Sequence, residues 1–530
     1  MESESESIAA GVPASAATPG TDAETAASPP TKSSDKGLKK GAIGFIDGLA
    51  IGLDSTAPAY SLAAVIGSIV VVLGLQAPGV LLLSFVPMFF IAAAFYYMNK
   101  AVQDCGTSFA WVTRALGPWW GWLGGWAICT TGILVVGSLA DVAAFYMFDL
   151  VGLDALRDSR VAVVGLSVVL IVIMTAVCVV GTEASARLQR VLVYFQVGAL
   201  VLLVVVAFAE LILGTLPARS IDPQLSWLNP FANTDYQDLL SGMLLAVFIY
   251  WGWESALNLS EETEDAASAP GVAGLASTVI LLATYVLVGV TVLMVGGVDK
   301  VDNFADNPGI LGNVASTVLG PLGFLIVLAI IVSGLASAQT TIIPSSRTSL
   351  SMAHAGALPS AFARVHARFK TPAISTIVVG VIATAWYVGG SIASENFLAD
   401  SLNALSLAIA FYYLLTGIAC VVYWRHHLTD SVRNFLFIGV APLLGAAGLG
   451  YLLVQSAIRL SDPGDSSTGT SVLGVGMPLV IAIAFALVGI VLMFAWWAFG
   501  DRSFFKRPGF EAVPREIADG SATTAEIPPL

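Results

Sequence analysis

Twelve apolar stretches follow one another along the chain, at 43–72, 79–99, 119–148, 161–180, 187–214, 239–259, 274–297, 320–350, 373–391, 399–424, 433–457 and 472–499. Each is long enough, at 1.5 Å per residue, to cross about 30 Å of hydrocarbon. A backbone in lipid must satisfy its own hydrogen bonds, and a helix does so within one segment. The pattern therefore predicts an all-α integral membrane protein of about 12 transmembrane helices. The flanks differ. Residues 1–38 and 503–530 are rich in Ser, Pro, Thr and acids, a composition too polar to form a core alone, and are expected to be disordered tails. The opening "MESESESIAAGVPASAATPG" also lacks the basic and apolar regions of a signal peptide. Residues 39–425 then carry helices 1–10 and residues 426–502 carry helices 11 and 12.

Composition agrees with the pattern: 57% of residues are hydrophobic and 11% charged, where soluble domains carry roughly 25% charged residues. Orientation follows from Lys and Arg, which stay on the cytoplasmic side. With the N-terminus inside, 18 of the 23 Lys and Arg fall in inner segments, leaving Arg157, Arg160, Arg219, Lys300 and Arg459 outside. Both termini are expected in the cytoplasm, and the bilayer is expected to be the plasma membrane. The net charge of −13 solvates tails and loops and offers nothing to nucleic acid. Cys105, Cys129, Cys178 and Cys420 show no paired spacing, so neither a disulfide nor a metal site is suggested. His354, His366, His426 and His427 fall near the inner interface as solvated loop residues. With no nucleophile or metal constellation in the chain, no enzyme is expected, and no cofactor.

One segment breaks the pattern. "LAIGLDSTAPAYSLAAV" (49–65) puts Asp54, Ser55, Thr56 and Pro58 about 11 residues into helix 1, near the bilayer midplane. An acid there costs about 2.5 to 3.5 kcal/mol on insertion scales and should face a cavity or a partner. Pro58 has no N–H for the carbonyl four residues before it, that of Asp54, while Gly52 weakens the same turn and Ser55 and Thr56 compete for backbone bonds. Helix 1 should be broken there, and irregular backbone at that depth is tolerated only inside protein or along a water-filled cavity.

Secondary transporters place such breaks at corresponding positions of two halves. Helix 6 supplies the second: "LLAVFIYWGWESALNLSEETEDAASAP" runs apolar through Trp251, meets Gly252, places Glu254, then turns acidic at Glu261, Glu262, Glu264 and Asp265. Helices 1 and 6 would pair in a five-plus-five inverted repeat with helices 11 and 12 added. Helix ends at the breaks offer N–H groups to a carboxylate and carbonyls to an ammonium group or a cation. Candidate substrate-binding residues are Gly52, Asp54, Ser55, Thr56 and Ala57 in helix 1, with Phe248, Tyr250 and Gly252 in helix 6.

The chain resembles the amino acid, polyamine and organocation (APC) permeases over about 41–430. "IGLDSTAPAY" stands where that family has a glycine-rich unwound motif, Asp54 replacing the usual small residue. "GTSFAWVTRALGPWWGWLGGW" (106–126) is similar to the family's helix 2 to helix 3 connection at Gly106, Arg114, Gly117, Pro118 and Gly125. "FIYWGWESA" (248–256) is similar to the helix 6 motif, which implies Phe248 as a lid over the substrate, Gly252 as the break and Glu254 as the following acid. "SSRTSLSMAHAGALPSAFARVHARFKTP" (345–372) resembles the inner end of helix 8 and its loop at Arg347, Met352, Ala353, Gly356, Leu358, Pro359, Thr371 and Pro372, departing from the family at His354 and Ala355. The resemblance implies a leucine-transporter-like fold and a permease working by alternating access.

Coupling candidates lie nearby. Ser333, Ser337, Thr340 and Pro344 share one face of helix 8, a face that in related families meets helix 1 and can hold sodium. Gln196 stands where some proton-coupled relatives place a helix 5 lysine, and it cannot titrate. Glu254 can, since desolvation favours its protonated form, so Glu254→Gln is expected to abolish pH-dependent transport while leaving binding. The coupling ion is expected to be a proton or sodium. The expected substrate is an amino acid or related amine, with Asp54 favouring a cationic group. The alternative is potassium uptake: some relatives on this fold bind the ion with an acid and a tyrosine of helix 1, roles that the resemblance would give to Asp54 and Tyr60, and Thr130 and Thr131 could add oxygens.

Overall fold

The computed structural model describes residues 36–218, 220–232, 235–297, 309–394, 396–518 and 530. Most of the expected N-terminal tail, residues 519–529 of the C-terminal one, and Arg219 and Lys300 lie outside them. Among the described residues 11 helical stretches are long and apolar enough to span a membrane. One of these, Phe45–Ala101, runs 57 residues, about 85 Å at helical rise and too long for one crossing. It divides at a 3-10 turn, Gly74–Gln76, where Gly74 takes φ +54°. Counted so, the twelve crossings read from the sequence are present in an almost entirely helical chain. The sole strands among the described residues are Ser471–Val472 and Val475–Gly476, a two-stranded hairpin that occupies the expected start of helix 12.

Helix 1 comprises helix 1a (Phe45–Thr56) and helix 1b (Pro58–Leu73). Helix 2 is Ala77–Ala101, helix 3 Pro118–Leu150, helix 5 Thr182–Leu213, helix 7 Ala269–Gly296, helix 8 Phe324–His354, helix 10 Phe397–Tyr423 and helix 12 Met477–Phe499. Helix 6 comprises helix 6a (Tyr236–Ile249) and a 3-10 helix 6b (Trp253–Glu262). Helix 3 is central, with 83% of its most apolar window buried, against 17% for helix 12 at the periphery.

Two short helices escaped the hydropathy pattern because they are amphipathic pieces beside longer spans: Ser108–Leu116, ended by Gly117 at φ +100°, and Ile310–Leu319. Residues 503–518 pack along the end of the bundle. Phe504 stacks on Phe109 (5.7 Å between ring centres), Phe505 packs at a tilt on Trp119 (4.6 Å), Glu511 pairs with Arg114 (2.8 Å), and the Val513 N–H donates to the Tyr423 carbonyl (2.9 Å).

Candidate functional site

Helix 1 breaks at Ala57, which adopts a left-handed conformation (φ +49°, ψ +61°) between Thr56 and Pro58. Pro58 then opens helix 1b at its first position, where a missing N–H costs nothing. The Asp54 carbonyl, expected to lose its donor, is instead met by the Ala57 N–H at 3.1 Å, because the left-handed residue closes a tighter turn. The Ser55 carbonyl and the Tyr60 N–H are the groups that turn outward. Helix 8 meets both: Ser337 Oγ donates to the Ser55 carbonyl (2.8 Å) and Ser333 Oγ accepts from the Tyr60 N–H (3.2 Å). Thr340 on the same face bonds back to the Ala336 carbonyl (3.0 Å). Two residues of the polar stripe on helix 8 thus complete the backbone of a broken helix that lipid could not complete.

Helix 6 breaks at Tyr250–Gly252, with Gly252 at φ +119°. A side chain there is excluded twice. The positive φ disfavours it, and a Cβ would lie 2.7 Å from the Ser55 carbonyl oxygen and 3.0 Å from the Thr56 nitrogen. The two breaks are in direct backbone contact, and Ser55 Oγ and Ser255 Oγ add a hydrogen bond of 2.7 Å across it. Gly52 permits a similar approach one turn earlier, where a Cβ would lie 2.6 Å from Ser277 Oγ on helix 7.

Glu254 follows the break and is almost wholly buried. Tyr412 and Tyr413, adjacent on helix 10, donate to its two carboxylate oxygens, the second at 2.6 Å. The Gly252 N–H adds a third donor at 3.1 Å, and Trp251 donates its indole N–H to the Tyr412 hydroxyl. Beside this cluster lies a small cavity lined by Ser55, Ser255 and Glu254 from the breaks, Thr131 from helix 3, Ser345 from helix 8 and Tyr412. About 10 Å³ is open to the centre of a water-sized sphere, the room one water molecule needs. A molecule the size of an amino acid does not fit in it.

Of the candidate residues, the structure brings Ser55 and Glu254 to the cavity and places Ala57 and Gly252 at the two breaks, with Gly52 packed against helix 7. Thr56 caps its own turn through the Leu53 carbonyl (2.7 Å). Tyr250 points away, donating to the Leu81 carbonyl of helix 2 (3.1 Å) and packing on Tyr285. Phe248 is buried in the apolar core. Asp54 is fully buried and faces helix 5, where Gln196 donates to its Oδ1. Tyr60 donates to or accepts from Ser138 on helix 3 (2.8 Å), so Asp54 and Tyr60 do not converge. Thr131 reaches the cavity, whereas Thr130 lines an apolar cleft bounded by helices 3, 10 and 12 and by the helix Ala441–Arg459.

A second polar layer closes the bundle farther along helices 6b and 8. Arg347 Nε pairs with Glu262 Oε1 at 2.7 Å, both side chains nearly inaccessible. Lys36 Nζ lies 2.9 Å from Asp104 Oδ2 and 3.3 Å from Glu261 Oε2. Burial opposes the charged form of both Lys36 and Asp104, yet their attraction prevails, holding the ammonium above its ordinary 10.5 and the Asp104 carboxyl below its ordinary 3.8. Sequence reasoning missed Tyr412, Tyr413, Ser255 and Lys36. The tyrosine pair sits in an apolar run like any core aromatics, and Lys36 belongs to a segment whose composition reads as tail.

Comparisons with known proteins agree with this architecture. The family model described as amino acid permease matches residues 52–487. An uncharacterised transporter of Mycobacterium tuberculosis is 27% identical over 372 residues, covering 70% of this chain and 75% of that protein. The branched-chain amino acid permease BcaP of Lactococcus lactis is 23% identical over 374 residues, covering 68% of this chain and 77% of its own. The low-affinity putrescine importer PlaP of Escherichia coli is 23% identical over 382 residues, covering 70% and 78%.

Proposed function

The chain belongs to the amino acid permease family of the APC superfamily, and on that premise we propose that it is a secondary transporter carrying an amino acid or related amine across the plasma membrane by alternating access. Helices 1–10 form two inverted five-helix repeats in this proposal, and both termini lie in the cytoplasm. The observation that carries it is the backbone contact between the two breaks, Gly252 against Ser55–Thr56. Two interrupted helices touching beside a polar cavity give a substrate partial charges of both signs without ionised side chains. They also give a hinge on either side of one site, since each half-helix can tilt without breaking regular hydrogen bonds. Glu254 supplies an acid for an ammonium group at the cavity wall. The small size of that cavity is what a state closed to both sides requires.

A bilayer of reconstituted protein tests the proposal. Purified protein in liposomes is expected to take up a labelled amino acid or amine saturably, from a panel spanning branched-chain amino acids, basic amino acids and putrescine. Entry of rubidium, as a tracer for potassium, with no uptake of any panel member would overturn it in favour of an ion carrier.

A further inference from the structure

We propose that Asp54 and Gln196 form a proton-binding site, and that the proton carried by Asp54 between the two sides of the membrane is the coupling ion of the transporter proposed above, on which this inference rests. Asp54 on helix 1a is 0% exposed, as is Gln196 on helix 5. The amide of Gln196 donates to Asp54 Oδ1. That leaves Asp54 Oδ2 and Gln196 Oε1 both buried and both without a hydrogen-bond partner. Two orphaned acceptors in one contacting pair are a mismatch for an ionised acid, because a carboxylate only accepts and an amide can answer it with donors alone. One proton on the carboxyl turns an orphaned acceptor into a donor, and a carboxylic acid and an amide then match each other in kind.

The charged and titratable groups on the elements packed against helix 1a are engaged elsewhere. On helix 5, Arg190 holds Asp47 at 2.6 Å, and Arg187 and Tyr194 are exposed. Tyr285 of helix 7 donates to the Ile249 carbonyl (2.6 Å). On helix 6b, Glu254 accepts from the two tyrosines, Glu261 pairs with Lys36, and Glu262 pairs with Arg347 of helix 8. Tyr60 of helix 1b bonds to Ser138. Among the described residues no cation therefore stands against Asp54, and a buried carboxylate without one carries a desolvation penalty that protonation removes.

Other cations fit less well. Sodium or an ammonium group needs a cavity and several oxygens, and Asp54 lines neither the cavity at the breaks nor the apolar cleft beside helix 12. A proton needs no volume. Glu254 is the opposite case, since each of its oxygens already accepts hydrogen bonds and the cluster is complete with the acid ionised. The position suits the cycle as well. Asp54 sits three residues before the hinge at Ala57, so movement of helix 1a would separate it from Gln196 and expose it to water. There it would release its proton to the inner side, and it would take up another from the outer side only after helix 1a has closed and the site has opened outward.

The test uses the full chain in liposomes, with the panel substrate that the wild type transports. Exchange of labelled for unlabelled substrate, which needs no gradient, is measured beside accumulation driven by an inward proton gradient. One unit of pH, worth about 1.4 kcal/mol, supports about tenfold accumulation at one proton per substrate. Wild type is expected to approach that ratio, and Asp54→Asn, which keeps the size and replaces the acid by a permanently neutral amide, is expected to exchange substrate but to show an accumulation ratio of about one. An independent readout is the infrared carbonyl band of a protonated carboxylic acid near neutral pH, expected in wild type and lost in Asp54→Asn. Proton-driven accumulation or that band persisting in Asp54→Asn overturns the proposal. So does accumulation that follows sodium, or loss of proton drive in Glu254→Gln with Asp54→Asn still driven. Absence of exchange of every panel substrate by the wild type would instead overturn the transport function itself.

Discussion

At the residue scale the site is decided by atoms that are missing as much as by those present. Gly252 has no Cβ, and both its backbone angle and its distance to Ser55 require that. Gly252→Ala is expected to cost about 1–2 kcal/mol for the left-handed conformation alone, with the contact at Ser55 adding to it. Uptake should be lost and the thermal midpoint lowered; wild-type uptake by this variant would show that the breaks need not touch. Glu254 presents the converse, a buried acid satisfied by named donors. Tyr413→Phe removes a hydroxyl 2.6 Å from Glu254 Oε2, and losing a hydrogen bond to a charged group costs about 1.5–3 kcal/mol. The acid at position 254 was legible because it interrupts an apolar run. Its two tyrosine partners were not, since tyrosine in a membrane helix serves equally as filler and as donor.

At the scale of elements, helix 1 shows how a break is built and what it demands of its neighbours. Pro58 made the interruption visible in the sequence, but the left-handed residue is Ala57, one position before it. Alanine pays for that conformation where glycine would not, so Ala57→Gly is expected to raise stability, by up to about 1 kcal/mol once the added freedom of the unfolded chain is counted. Thermal unfolding in detergent measures it, and a lowered midpoint would mean that the alanine methyl contributes packing that outweighs its strain. Helix 8 answers the break with two serines. Ser337→Ala leaves the buried Ser55 carbonyl without its donor, an expected cost of about 1–3 kcal/mol. The spacing of Ser333, Ser337 and Thr340 showed a polar stripe; that it completes another helix's backbone depends on which helix packs there.

At the scale of the molecule, the chain is closed around the cavity by an ionic layer that includes a residue from outside the spans. Lys36 joins the N-terminal segment to the helix 2–3 connection and to helix 6b, and beside it Cys105 is fully buried. Lys36→Gln is expected to loosen this end, raising the rate at which a maleimide labels Cys105 severalfold; unchanged labelling would separate Lys36 from closure. The pH dependence has a definite sign. Asp104, held below its ordinary 3.8, contributes stability that is present above that value and lost as pH falls through its folded value. Lys36, held above its ordinary 10.5, contributes stability that is present below that value and lost as pH rises through its folded one. The thermal midpoint should therefore be highest across the neutral range and fall toward either extreme.

The class of molecule, the number of crossings, the two places where crossings fail and the acids set beside them can all be read along the chain. All of these are local. Hydrocarbon forces each crossing to be apolar and helical, so a proline, a glycine or a carboxylate in the middle of one stands out against a uniform background. Partners emerge from the packing of the helices: that Gly252 rests on Ser55, that Glu254 belongs to Tyr412 and Tyr413, and that Asp54 turns to Gln196 on helix 5 instead of to the cavity. These pairings join residues more than 140 positions apart. They follow from how the helices rotate and tilt against one another, which the sum of many weak packing contacts sets and no single stretch of sequence records.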